Sequence, residues 1–119
     1  MIFEIENYTS LKDAVEEFCA FLATENIPEE CVFNSKLVAY ELLGNSLKHA
    51  KAKALFCGSV IGETIEIKVL CEKSFIPPQK SVCSEVFSEH GRGFFLIDSL
   101  CTERLRTDDG GIIVRIKIQ

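Results

Sequence analysis

The chain has 119 residues, 47% of them hydrophobic and 26% charged, proportions that fit one ordinary globular domain and argue against a disordered chain. Its formal net charge of −5 argues against a nucleic-acid binder, which relies on clustered Lys and Arg, so any anionic ligand must be held locally. Six cysteines (Cys19, Cys31, Cys57, Cys71, Cys83, Cys101) form no C-x-x-C pair and no zinc-like group with histidine, and their apolar neighbours mark them as reduced core residues.

Residues 2–6 alternate, Phe3 and Ile5 against Ile2 and Glu4, which predicts a short strand. This stretch has neither a basic n-region nor a long apolar run, so no signal peptide or membrane span is expected and the predicted location is the cytoplasm. Ser10 to Asp13 reads as a capping box with Asp in place of Glu. It opens a helix whose Leu11, Val15, Phe18, Cys19 and Leu22 share one face, with Lys12, Asp13, Glu16 and Glu17 solvated on the other. Asn26 and Pro28 separate this helix from a second, whose first turn suits Pro28, Glu29 and Glu30 and which runs to about Ala50.

From Ala54 the period becomes two, predicting strands over 54–61 and 64–71 with a turn at Gly62-Glu63. In the second strand Ile65, Ile67, Val69 and Cys71 share a face and Glu66 and Lys68 look the other way, the pattern of a sheet covered on one side. Two prolines and a polar run make residues 73–93 mostly loop, with a helical turn near Val82–Phe87. "GRGFFLIDSLC" starts a helix at two glycines, and "ERLRTDDGGIIVRIKIQ" reads as a hairpin turning at Asp109-Gly110, with Ile112, Val114, Ile116 and Ile118 on one face. The order β-α-α-β-β-loop-α-β-β lacks the regular alternation of a doubly wound fold. It predicts one α+β domain over 1–119, a two-layer α/β sandwich with a mixed, mainly antiparallel sheet and the helices on one face.

Within the second helix, Glu41, Asn45, Lys48 and His49 fall in a sector of roughly 100° flanked by Val38 and Leu42. Asn and Gly weaken a helix, so Asn45 and Gly44 suggest a role other than helix formation. The plainer alternative exposes Glu41 and Lys48 and leaves Asn45 and His49 hydrogen-bonded at the core edge. A second feature is His90-Gly91-Arg92-Gly93 before an apolar helix, since glycines at a helix start let backbone N–H groups approach an anion. Together these features outline a phosphate site.

"ELLGNSLKH" resembles the N-box of the GHKL (histidine kinase-like) ATPases, and "HGRGFFLIDSL" resembles their second glycine box. The similar element order over nearly the whole chain, the short length and an N-x-x-x-H N-box are most similar to the bacterial anti-sigma-factor serine/threonine kinases. The resemblance implies a fold that binds Mg²⁺ and ATP between helices and a lid, with Asn45 as Mg²⁺ ligand and Glu41 as general base. It implies Lys48 and His49 on the phosphate side, backbone amides at Gly91, Arg92 and Gly93 on the terminal phosphates, and Cys71 where an aspartate would read adenine. The implied partner is a protein, either a sigma factor or an antagonist domain, with a homodimer among the arrangements the family uses.

The first glycine box, Asp-x-Gly-x-Gly in the family, corresponds here to "CEKSF", with Lys73 and Phe75 in the glycine places. A thiol is a weak partner for the adenine amino group, and strand alternation sends Glu72 to the opposite face. The lid is short, residues 79–90, and Ala50 follows the N-box histidine where the family often has glycine. Two functions therefore stand open: an ATP-dependent protein kinase that regulates transcription by phosphorylating a partner and switching partners, or a degenerate protein-binding module with weak or no nucleotide binding.

Overall fold

A computed structural model describes residues 1–50, 53–71, 97, 99–107 and 111–118, with backbone only at 49, 50 and 71. Strand β1 (Ile2–Ile5) leads into helices α1 (Tyr8–Thr24) and α2 (Glu29–Asn45) and a π-helical turn (Ser46–Ala50). Then come β2 (Ala54–Ile61), β3 (Thr64–Cys71), helical residues at 97 and 99–100, β4 (Glu103–Arg106) and β5 (Ile112–Lys117). The expected loop over 73–93, with its helical turn near Val82–Phe87, lies outside the described residues.

Asn7 caps α1, three residues before the expected start at Ser10. Its Oδ1 accepts from Ser10 N–H at 2.9 Å, and Ser10 Oγ in return accepts from Asn7 N–H at 3.1 Å, so Ser10 closes the capping box from its third helical position. At the other end Asn26 adopts φ 59°, while Asn26 and Ile27 N–H groups donate to the Ala23 and Leu22 carbonyls at 3.2 Å each. This is a Schellman ending with asparagine in the left-handed position that glycine usually takes. Pro28 sits at the α2 cap position, and Glu29 and Glu30 place negative charge at the positive end of the helix.

The strands form one sheet in the order β1-β2-β3-β5-β4. All four pairings are antiparallel, so among the described residues the sheet is antiparallel throughout rather than mixed. Both hairpins enforce this locally. Ile61 pairs with Thr64 across a two-residue turn in which Gly62 takes φ 60°, a conformation glycine adopts without steric cost. Between β4 and β5, Thr107 N–H donates to Gly111 O at 3.0 Å and Thr107 Oγ1 accepts from Gly111 N–H at 2.8 Å; the expected turn residues Asp109 and Gly110 lie outside the described residues.

Alternation along the strands then makes one face apolar. Ala54 and Phe56, Ile65, Ile67 and Val69, and Ile112, Val114 and Ile116 are all buried beneath the helices. Leu11, Ala14, Val15, Phe18 and Leu22 of α1 and Val38, Ala39, Leu42 and Leu43 of α2 close the core from above. Each buried aliphatic or aromatic side chain contributes about 1.5–3 kcal/mol of transfer free energy, so covering this face is the main drive to the two-layer arrangement. Aromatic packing ties β1, β2 and α1 together: Phe56 stacks on Phe3 with ring centres 5.6 Å apart and meets Phe18 edge-on at 5.4 Å. The outer face is mixed. Arg115 on β5 reaches across to Glu66 on β3 at 3.0 Å and to Glu103 on β4. No described helix is long and apolar enough to cross a membrane.

Gly58, on the inner face of β2, has no room for a side chain, because a Cβ there would lie 2.5–2.8 Å from the ring of buried Phe18. Gly58→Ala is therefore expected to lower stability by about 1–3 kcal/mol through overpacking. Urea or thermal unfolding checks this, and a variant as stable as the parent would contradict the packing described.

Candidate functional site

The last two turns of α2 carry the candidate site. The inner face of this helix is fixed by Val38, Ala39, Leu42 and Leu43, all fully buried, which leaves Glu41 half-buried at the margin and Asn45 only 8% exposed. At Asn45 the α-helical pattern stops. Ser46 N–H is shared between the carbonyls of Leu42 and Leu43, and Ser46–Ala50 wind as a π-helical turn. Wider i→i+5 turns of this kind occur mostly as single insertions in α-helices and frequently at functional sites.

The wider turn changes the expected line of side chains. Glu41 and Asn45 do lie one α-turn apart on the same side of α2. Beyond Asn45 each residue advances less around the axis, so the 100° spacing does not extend to Lys48 and His49. Lys48 is exposed, and the side chain of His49 lies outside the described residues.

Two polar atoms at the transition are sealed from solvent without a hydrogen-bond partner among the described residues: Asn45 Nδ2 and Ser46 Oγ. A buried group left in this state costs about 1–3 kcal/mol, and such groups in folded proteins call for a specific explanation such as a bound water, ion or ligand. An amide offers both a donor and an acceptor, and a hydroxyl offers the same on one atom, so the pair suits a ligand rich in oxygen. On the adjacent position Gly44 leaves open space: a Cβ there would meet no described atom within 4 Å. Ser46 carries half of the unpartnered pair, yet the helical spacing of Glu41, Asn45 and His49 passes it by. Its only sequence signal is a serine directly after asparagine inside an apolar helix.

Cys71 is the last residue of β3 and pairs with Ala54, the first of β2. Only residues 51–53 separate the π-turn from Ala54, so the chain itself brings the end of β3 to the end of the helix that carries Asn45. The element lengths agree with this placement. The 17 residues of α2 span roughly 25 Å and the eight of β3 roughly 26 Å. At the other end, the start of α2 shares a cleft with Ile116 and Lys117, whose β3 partners are Ile65 and Thr64. Asn45 and Cys71 therefore belong to one end of the sandwich. Lys73, Phe75, Gly91, Arg92 and Gly93 lie outside the described residues. The helix expected after the glycines is present in its final turn, where Ile97 is fully buried and its carbonyl accepts from Cys101 N–H at 3.0 Å.

The sequence matches no protein-family model and no curated protein.

Removing the Ser46 hydroxyl tests whether it is unpartnered. Ser46→Ala discards a buried polar group that gains nothing in the ligand-free fold, so thermal unfolding is expected to show unchanged stability or a gain of up to about 1 kcal/mol. A loss greater than about 1 kcal/mol would mean that the hydroxyl has a structural partner.

Proposed function

We propose that this chain is an ATP-binding protein serine/threonine kinase of the anti-sigma-factor type, which regulates transcription by phosphorylating a partner protein and switching between partners. The observation that carries this reading is the pair of sealed, unpartnered atoms on Asn45 and Ser46, one helical turn after Glu41. It supports the reading because the resemblance of "ELLGNSLKH" to a GHKL N-box assigns Asn45 to the Mg²⁺ edge of a nucleotide pocket, and Ser46 is its immediate neighbour.

The donor set fits the proposed ligands. Magnesium takes hard oxygen ligands and is usually held through one or two side chains plus substrate phosphates, and a neutral asparagine oxygen can serve without adding negative charge beside ATP. Asn45 would hold the cation through its amide oxygen, leaving Nδ2 and Ser46 Oγ as donors to ligand oxygens. Bound Mg-ATP supplies the phosphoryl group and the counter-charge, and the protein's share of such a transfer is mainly positioning and neutralisation. Glu41 would accept the proton of a serine or threonine hydroxyl on the partner. Lys48 and His49 would serve the phosphate side, with the backbone amides of Gly91, Arg92 and Gly93 completing it.

A second reading rests on Cys71. In the family pattern its place at the end of β3 belongs to the aspartate that accepts from the adenine amino group, and a thiol accepts weakly. With Lys73 and Phe75 in glycine places, the chain would keep the fold as a protein-binding module with weak or no nucleotide affinity.

Thermal unfolding with Mg-ATP separates the two. A ligand at 100 times its Kd stabilises by about 2.7 kcal/mol, which raises Tm by roughly 10 °C for a domain this size. The kinase reading expects such a rise in the parent and its loss in Asn45→Ala; no rise at millimolar Mg-ATP, with Asn45→Ala behaving like the parent, favours the module. For the chemistry, Glu41→Ala is expected to retain Mg-ATP binding while transfer of labelled phosphate to a partner falls by at least 100-fold. Transfer that survives this substitution removes Glu41 from the base role.

A further inference from the structure

The cleft at the start of α2, at the far end of this helix from Asn45, has a volume of about 250 Å³. The first turn of α2 forms one wall, and residues 100–102 with the end of β5 form the other. Two cysteines line this one cleft, Cys31 on α2 and Cys101 directly after the helical residues at 99–100. Neither is in a disulfide; Cys31 is 8% exposed and Cys101 is half-buried. The other described cysteines do not face this space. Cys19 lies on α1, where burial pushes its thiol up from the ordinary range, and Cys57 lies on the outer face of β2.

We infer that Cys31 and Cys101 form a redox-responsive pair that closes into an intramolecular disulfide when the chain meets a low-molecular-weight disulfide such as oxidised glutathione. Exchange needs a thiolate with access to the incoming disulfide, and Cys101 is the more exposed of the two. Its sulfur attacks the small disulfide, breaking that S–S bond, forming a mixed disulfide and releasing one glutathione thiol. The Cys31 thiolate then attacks the Cys101 sulfur, forming the protein bridge and releasing the second. Two protein thiols lose two electrons in total, the reagent gains them, and the two thiol protons end on the released glutathione molecules.

The bridge would draw the cleft walls to the 4.4–6.8 Å Cα separation that disulfides require. It would join the start of α2 to the end of the segment at 97–101, closing a loop of about 70 residues, the length class for which a crosslink most restricts the unfolded chain. Because this site shares no residue with the Asn45 end of the helix, the inference stands independently of the proposed nucleotide chemistry.

The test uses the full chain, reduced and then exposed to oxidised glutathione, with peptide mass mapping under non-reducing conditions. The expected product is a linked Cys31–Cys101 peptide, lighter by two hydrogen atoms than the separate peptides, with a Tm raised by several degrees and restored by reductant. Cys31→Ser and Cys101→Ser should each lose the product, while Cys19→Ser and Cys57→Ser keep it. A bridge between any other pair, a stable glutathione adduct on Cys101 with Cys31 still free, or unchanged thiols would each overturn the inference. Mapping of the unsubstituted chain decides the matter even where a serine variant fails to fold.

Discussion

The face that α2 turns to the sheet determines what the end of this helix can present. Val38, Ala39, Leu42 and Leu43 are fully buried, and the sheet beneath offers Ile65, Ile67 and Val69 of β3 and Val114 of β5, also fully buried. With each such side chain contributing about 1.5–3 kcal/mol, rotating α2 about its axis would lose more than any polar contact at its rim can return. Glu41 and Asn45 are therefore held at the boundary of the core by their buried apolar neighbours on α2. Rigid elements of this kind are what a precise site requires.

The break in helical winding at Asn45 matters for the same reason. A continuous α-helix through Ala50 would carry the 3.6-residue repeat onward and place Ser46, Leu47 and Lys48 by the same arithmetic as the preceding turns. Instead Ser46 N–H divides between two carbonyls and Ser46–Ala50 take the wider winding. Among the described residues, the side chains on either side of this break, Asn45 and Ser46, are the ones with polar atoms buried without partners. Local irregularity and unsatisfied polarity thus coincide in two adjacent residues, at the end of the sandwich where β3 finishes at Cys71. Elsewhere the polar contacts are ordinary: Arg115 bridges Glu66 and Glu103 across the outer face, and Lys53 pairs with Glu6 at 3.0 Å near the surface, contacts worth little individually when exposed.

Much of this architecture was legible in the residues. The strand limits at 54–61 and 64–71, the turn at Gly62-Glu63 and the inward set Ile112, Val114 and Ile116 follow from period-two alternation, which an exposed outer face and a buried inner one impose. The start of α1 was misplaced because Ser10 has the chemistry of a cap but Asn7, three residues earlier, holds the extended backbone that a cap needs. A mixed sheet was expected because strand direction depends on connections that alternation does not encode. The π-turn was invisible for a related reason: a 100° wheel assumes one winding, and the sequence carries no simple mark where the winding changes. Helical spacing pointed to Glu41 and Asn45 as candidates, whereas Ser46 emerged only when its hydroxyl was placed in three dimensions.

The central proposal is that the Asn45 amide, whose Nδ2 is buried without a partner among the described residues, is the group that meets a magnesium nucleotide. The most direct measurement is the ¹⁵N–¹H spectrum of the Asn45 side-chain amide, assigned through Asn45→Gln, during titration with Mg-ATP and separately with magnesium alone. The account predicts that the Asn45 NH₂ pair shifts and saturates with Mg-ATP, and that other asparagine side chains such as Asn7 and Asn26 stay in place. An Asn45 signal that remains unmoved at millimolar Mg-ATP would contradict it.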